Sequence, residues 1–341
     1  MKKIIAILIL SFLFCTLNAQ TKKYHTNGKL QSVGFYNELK QKTGEWKYFW
    51  ITGGLHSIVS YKKGFKTDWK HYDTNGKLRE SGKYIQGKKN GEWKYYNLEG
   101  ELNKIGTYKN GQTEGVWKTF YKGELTSLKK YKESKKNGEW KFYQDGKLDR
   151  IQHWVNGKPD GVEKWFHENG NLGMIHHYNN GTPIGEYKEY YNSGKIKEIR
   201  TFEDGEIIAI KSFYENGFLS ATKQLLKNKK IQAKSFYDNG RLGSIAYIEN
   251  FRGWQPIGTH KHYHQNGKLY YKVKNSYTKI TKTKGYYANG KRKFKGYKIM
   301  VEHDGNYNME ATGKWKFYQK NGKLDRIEHW EDGKLMSTEN K

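Results

Sequence analysis

Apolar positions return along this chain at a fixed step. A leucine or isoleucine stands two residues after a glycine at Leu55, Leu78, Leu102, Leu125, Leu148, Leu172, Ile196, Leu219 and Leu242, always 23 or 24 residues from the last. Fixed periods of this size mark repeat arrays, in which a unit buries its apolar face only by stacking on its neighbours. Within a unit the polar and apolar positions alternate with period two. In the unit from Gly138 to Gly157, Trp140 to Tyr143 is rich in strand formers, and Asp145-Gly146 supplies a tight turn. Leu148 to Trp154 is the predicted return strand, with Leu148, Arg150, Gln152 and Trp154 on one face and Asp149, Ile151 and His153 on the other. Asn156-Gly157 then leads into the next unit. The same turn signal recurs at Asn75-Gly76, Asn169-Gly170, Asn216-Gly217, Asn239-Gly240, Asn266-Gly267 and Asn321-Gly322.

The pattern predicts an all-β fold, a repeat array of β-hairpins forming an elongated, twisted, mostly single-layer antiparallel sheet. Helix competes poorly, because a glycine falls about every ten residues and β-branched or aromatic residues fill the intervals. Hydrophobic content is only 35% and mean hydropathy is −1.03, yet aromatic residues reach 16%, which excludes a disordered chain. Burial must therefore come from flat rings and lysine stems.

The unit Gly-x-Trp-Lys-x-Tyr-Tyr-x-x-Asn-Gly-x-Leu resembles the variant of the MORN repeat (membrane occupation and recognition nexus). Its best copies start at Gly44, Gly91, Gly115, Gly138 and Gly313, and the resemblance covers roughly residues 24 to 335. It implies a noncatalytic scaffold built of hairpins, with phospholipid binding in some members. It also implies, as an alternative, an antitoxin-like or immunity protein that binds a toxin partner.

The array is uneven. Residues 1–19 read as a secretory signal peptide: Lys2 and Lys3, the apolar run Ile4 to Phe14, then a small residue at Ala19. Phe14 before Cys15 argues against a lipoprotein site, and the chain beyond the leader has no cysteine for disulfide or thiol chemistry. Residues 20–250 form the regular repeats, 251–312 irregular repeats with insertions, and 313–341 a final repeat and tail. Glu163, Tyr187 and Ile210 stand near the tryptophan slot in mid-chain. No later segment approaches membrane-spanning length.

Formal charge is +29. In a cytosolic protein such an excess points to nucleic acid. Export redirects it to a protein partner or an anionic envelope lipid or glycan. Open sheet edges near Tyr24 and Leu335 allow edge-to-edge self-association.

Candidate contacts are the tryptophans Trp46, Trp93, Trp117, Trp140 and Trp315 and the lysines that follow them, Lys47, Lys94, Lys118, Lys141 and Lys316. They would act together through charge and ring stacking. The same rings are what ladder packing of a sheet needs, and that use is the more common one. His260, His262 and His264 fall at i, i+2 and i+4, which on one strand face suits a metal ion. Against this, His260 and His264 occupy slots where other repeats carry Trp and Tyr, so ring-for-ring replacement explains them too. Glu45, Glu92, Glu139 and Glu186 recur after the glycine, as partners for lysine rather than as general acids. No serine-hydrolase elbow, zinc-protease helix motif or phosphate loop is present. The expectation is a non-enzymatic binding or scaffolding protein of the cell envelope, without cofactor, secreted or periplasmic or associated with the outer membrane.

Overall fold

In a computed structural model of the chain, the structure describes residues 20–252, 257–274, 280–303 and 306–341. The signal-peptide assignment, with Cys15, lies outside the described residues. Those residues form 28 strands of one antiparallel sheet that is not closed, and no helix. The hairpin array read from the repeat is what is found. Strand pairs follow chain order, as in Lys42–Phe49 with Leu55–Lys62 and Lys88–Tyr96 with Leu102–Lys109. Strands run longer than the aromatic cores suggest: Trp140 to Tyr143 sits inside Lys135–Gln144, and the return strand is Lys147–Val155.

The extra length comes from a bulge that explains the Gly-x-Trp motif. Gly91, two residues before Trp93, has φ 70°, a left-handed value that suits glycine. The ladder shifts register here, between Gly82 and Lys83 of the paired strand Leu78–Ile85. Trp93 Nε1 donates to Lys83 O at 3.1 Å. The same bond joins Trp46 to Phe35 O, Trp140 to Lys130 O and Trp315 to Tyr297 O, each in the partner strand where register shifts. Beneath the indoles of Trp46, Trp93, Trp117 and Trp315 lie Gly34, Gly82, Gly106 and Gly296, where any Cβ would fall inside the ring. Glycine, indole and bulge are therefore one device. Burying each indole contributes on the order of 4 kcal/mol as an upper estimate.

Two compact units divide the described residues, one up to Gly146 with Trp154–Gly157, the other Lys147–His153 with Lys158–Lys341. The first has an aromatic core. Trp46, Trp93 and Trp117 are at most 1% exposed, and Val59 joins them. Lysine amines cover the rings, with Lys42 Nζ 4.4 Å from Trp46, Lys89 3.7 Å from Trp93 and Lys136 3.9 Å from Trp154. Lys42 also donates to Tyr48 Oη at 2.7 Å, and Tyr48 meets Tyr61 at 3.1 Å. Burial raises the Tyr48 and Tyr61 hydroxyl pKa values and pushes Tyr108 up to about 12.

The second unit uses more varied packing where tryptophan is replaced. Glu163 accepts from Gln152 and Trp165, both at 2.8 Å, while Ile231, Ala233 and Ile248 make a small aliphatic core with Phe251. Its loops stack by hydrogen bonds from one repeat to the next. Tyr191, Tyr214, Tyr237 and Tyr287 hydroxyls donate to Phe213, Phe236, Tyr263 and Tyr318 carbonyls at 2.6–2.8 Å. Asn169, Asn216, Asn266 and Asn289 amides donate to Asn192, Asp238, Ala288 and Lys320 carbonyls at 2.8–3.0 Å. The Asn-Gly signal thus sets the stacking of loops as well as the turn.

Candidate functional site: a lysine row on the sheet

Residues directly opposite one another across successive strands form rows on a sheet face. On the face away from the indoles one such row carries the lysine of each Trp-Lys pair. In the first unit it runs Val33, Lys47, Ile58, Lys70, Ser81, Lys94, Ile105, Lys118, Leu128, Lys141. In the second unit it runs Ile151, Lys164, Ile175, Lys188, Ile199, Lys211, Thr222, Lys234, Ile245 and Lys261. Lysine falls on every second strand, with an apolar or small residue between, so like charges stand two strands apart.

Four lysines of the row are also neutralised. Two residues back on the same strand and face, Glu45, Glu92, Glu139 and Glu186 pair with Lys47, Lys94, Lys141 and Lys188 at 3.5, 3.2, 2.8 and 2.9 Å. These exposed pairs contribute little to stability, but they cancel charge.

The paired glutamates end at Lys188, and alternation stops after Lys261. The row continues Lys261, Lys272, Lys284, Lys295, Lys316, five lysines on five successive strands, before ending on Ile327. At strand spacing the backbone positions are about 4.8 Å apart and the run spans about 19 Å. Two residues before each lysine stand Thr259, Tyr270, Lys282, Lys293 and Lys314, where four of the earlier repeats carry glutamate. Among the described residues none of the five meets a carboxylate at ion-pair distance, and residues 250–301 hold 13 Lys and Arg with no Asp or Glu. Partial desolvation, then the positive charges of Arg292, Lys282, Lys272 and Lys295, lower the pKa of Lys284. Like charges directly opposite destabilise a sheet, so the segment carries a repulsion that an anion would relieve.

The sequence-based candidates separate onto two faces. Trp46, Trp93, Trp117, Trp140 and Trp315 are all at most 6% exposed and pack in the sheet surface, so they are not an open stacking row. Lys47, Lys94, Lys118, Lys141 and Lys316 lie on the opposite face, because adjacent strand residues point opposite ways. Lys47, Lys94 and Lys141 are ion-paired, and of the five lysines only Lys316 belongs to the uncompensated run. Lys261, Lys272, Lys284 and Lys295 were missed by motif reading. The absence of acids over residues 250–301 was the available signal, and register alone aligned them.

The histidine triad is corrected. His260 and His262 rings stand 5.6 Å apart on Ile257–Tyr263, but His264 follows that strand. Its ring nitrogen lies 3.1 Å from Tyr286 O, the loop position filled by Tyr237 and Tyr287 elsewhere. No group of three His, Cys, Asp or Glu that could hold a metal ion stands among the described residues. His260 takes the tryptophan slot after Gly258, and burial, with His262 beside it, lowers its pKa.

Residues 17–38, 67–86, 89–110, 159–180, 183–204, 256–274 and 311–332 each match the MORN repeat variant. Seven MORN repeat variants thus recur across the chain. Among the described residues each MORN match falls on one hairpin, as 89–110 does on Lys88–Tyr96 and Leu102–Lys109. No curated protein matches the chain. Similar solved structures include TcdB2-TccC3-TEV, at 10% identity and TM-score 0.17 over 92% of this chain and 23% of that one. They also include a Photorhabdus luminescens Tc holotoxin pore, at 12% identity and TM-score 0.17 over 95% and 20%. A porin-like protein from Bacteroides uniformis matches at 7% identity and TM-score 0.16 over 75% and 88%. The MORN chain spans about a quarter or less of the length of the first two. Scores this low carry no argument about function. No helix among the described residues is long and apolar enough to cross a membrane.

Proposed function

We propose that this MORN-repeat chain is a noncatalytic binding scaffold of the cell envelope whose lysine-bearing face takes an anionic partner. The uncompensated run Lys261, Lys272, Lys284, Lys295 and Lys316 carries the reading. Sheet faces elsewhere in the chain alternate or neutralise the same row, so its concentration here is local and not a general solubilising coat. Contact spread over equivalent positions on successive strands suits binding through many weak interactions rather than chemistry at one point. The leader pattern at Lys2, Lys3 and Ile4 to Phe14 supports export to the envelope.

The test is capture from envelope extract by the chain lacking its leader, at about 0.1 M and about 1 M salt, where charges are screened beyond about 10 and about 3 Å. An anionic species held at the lower salt and released at the higher one is expected. Capture of a neutral partner, indifferent to salt and to the Lys272→Gln/Lys284→Gln/Lys295→Gln variant, would overturn the reading.

A further inference from the structure

The face opposite the lysine row holds a cavity where the repeat drops its ring. In a regular unit Trp93 stands between Gly82 and Gly106, and two residues on Tyr95 stands opposite Lys104. The equivalent positions of Glu206–Phe213 and its neighbours put Ile210 between Arg200 and Lys223, and Ser212 opposite Ala221. An indole, a phenol and a lysine stem are thus exchanged for isoleucine, serine and alanine. The sheet cannot close the lost volume, because backbone hydrogen bonds fix the strand spacing. A cavity of about 490 Å³ remains, within the usual range of ligand pockets. Phe251 and Arg252, which follow Leu242–Ile248, line its other side. Phe251 also packs on the core of Ile231, Ala233 and Ile248.

The walls carry charge where the regular repeat carries glycine. Arg200, Lys223 and Arg252 line the cavity with a single carboxylate, Glu198. Glu198 accepts from Arg200 Nε at 2.6 Å and from the Ser212 hydroxyl at 3.0 Å. Lys223, only 7% exposed, donates from Nζ to the Phe251 carbonyl at 2.6 Å. Burial lowers the pKa of Lys223, with Glu198 opposing that shift, so a further anion beside it would favour its charged form. Ile207, Ile210, Ala221 and Phe251 give the same cavity apolar walls.

We infer that this cavity binds a small organic carboxylate with a flat apolar body, its carboxylate on Lys223 and Arg200 and its ring in the space that an indole fills in the regular repeats. The inference stands apart from the anionic-partner reading, because Lys211 and Thr222 belong to the lysine row and Lys223 faces the other way. Inorganic phosphate would meet the cations but leave the apolar space empty. An uncharged ring would fill that space but leave the excess positive charge unbalanced.

The test is isothermal titration calorimetry of the chain lacking its leader with indoleacetate, its uncharged amide and inorganic phosphate. Saturable binding of indoleacetate at one site is expected at millimolar concentration or below. The amide should bind about tenfold or more weakly, in the range of a lost hydrogen bond to a charged group. Phosphate should give no saturable heat. Lys223→Gln should weaken indoleacetate by a similar factor and bring it level with the amide. Ile210→Trp restores the ring of the regular repeat and Ala221→Leu narrows the cavity from its floor, so each should abolish binding. Thermal melting of each variant separates lost binding from lost folding. The Lys272→Gln/Lys284→Gln/Lys295→Gln variant should bind indoleacetate as the parent does. Equal affinity for indoleacetate and its amide, binding that survives either cavity-filling substitution in folded protein, or binding lost with the lysine-row variant overturns the site. Absence of indoleacetate binding overturns it as well.

Discussion

The indole of Trp93 lies flat on Gly82 of the neighbouring strand, which it also faces in register. A methyl group at position 82 would sit inside the ring. Gly82→Ala is therefore expected to destabilise the sheet by about 1–3 kcal/mol, the usual range for overpacking. Urea melting followed by tryptophan fluorescence checks this. A Trp93→Leu background should remove most of the added penalty, because the clash partner is gone. An undiminished penalty there would mean that glycine is needed for another reason.

Tyr237 ties one loop to the next, its hydroxyl donating to Tyr263 O at 2.6 Å. Tyr237→Phe removes that bond and leaves the ring. A loss of about 0.5–1.5 kcal/mol is expected. It should appear as faster amide exchange in the adjoining hairpins, since repeats share stability mainly with their neighbours.

Lys284 is opposed by Lys272 on one side and Lys295 on the other. Lys284→Gln is expected to stabilise the unliganded chain, by a few tenths to about 1 kcal/mol. The gain should shrink as salt rises. Because its folded pKa lies below 10.5, the destabilisation from Lys284 is complete below the folded value and lifts as pH rises toward 10.5. Melting of the wild-type chain and the variant across that alkaline range reads the difference.

His176 is 7% exposed and packed by Tyr178 at 4.5 Å, Phe202 at 5.1 Å and Tyr187 at 5.5 Å. Burial holds its imidazole below the ordinary 6.5, with Glu163 opposing that shift and His177 and Arg200 adding to it. The unfolded chain therefore takes up the proton first. Stability is expected to fall as pH drops through 6.5 and to level off below the folded value. Thermal melting at about pH 7.5 and about pH 5.5 measures the drop, and His176→Phe should make it smaller.

His264 fills a slot that tyrosine fills in other repeats, with its ring on Tyr286 O. His264→Tyr should leave stability within about 0.5 kcal/mol of the parent, as an exchange within the same repeat position. Zinc should not shift the melting temperature of either protein. A zinc-dependent rise lost on substitution would restore the metal reading.

Hairpins, turns and the two-faced alternation were legible in the sequence because they are local. Aromatic strand formers, Asn-Gly turns and a fixed step require no knowledge of which strand lies beside which. The place of Trp93 was half legible: its recurrence marked a packing position, but the bulge at Gly91 and the glycine under its ring belong to two strands. Pairing the tryptophans with the lysines that follow them as one contact surface failed for a simple reason. Neighbours in a strand point to opposite faces, so Trp46 is buried where Lys47 is open.

By itself the sequence determined the fold class, the hairpin unit and the charge, since each depends on composition or on residues close along the chain. The tertiary structure alone decided that Lys261, Lys272, Lys284, Lys295 and Lys316 stand side by side. Their spacings in the chain are 11, 12, 11 and 21 residues, with no common period. Only the register of five strands, set by hydrogen bonds and bulges between segments far apart in sequence, turns those uneven intervals into one straight row.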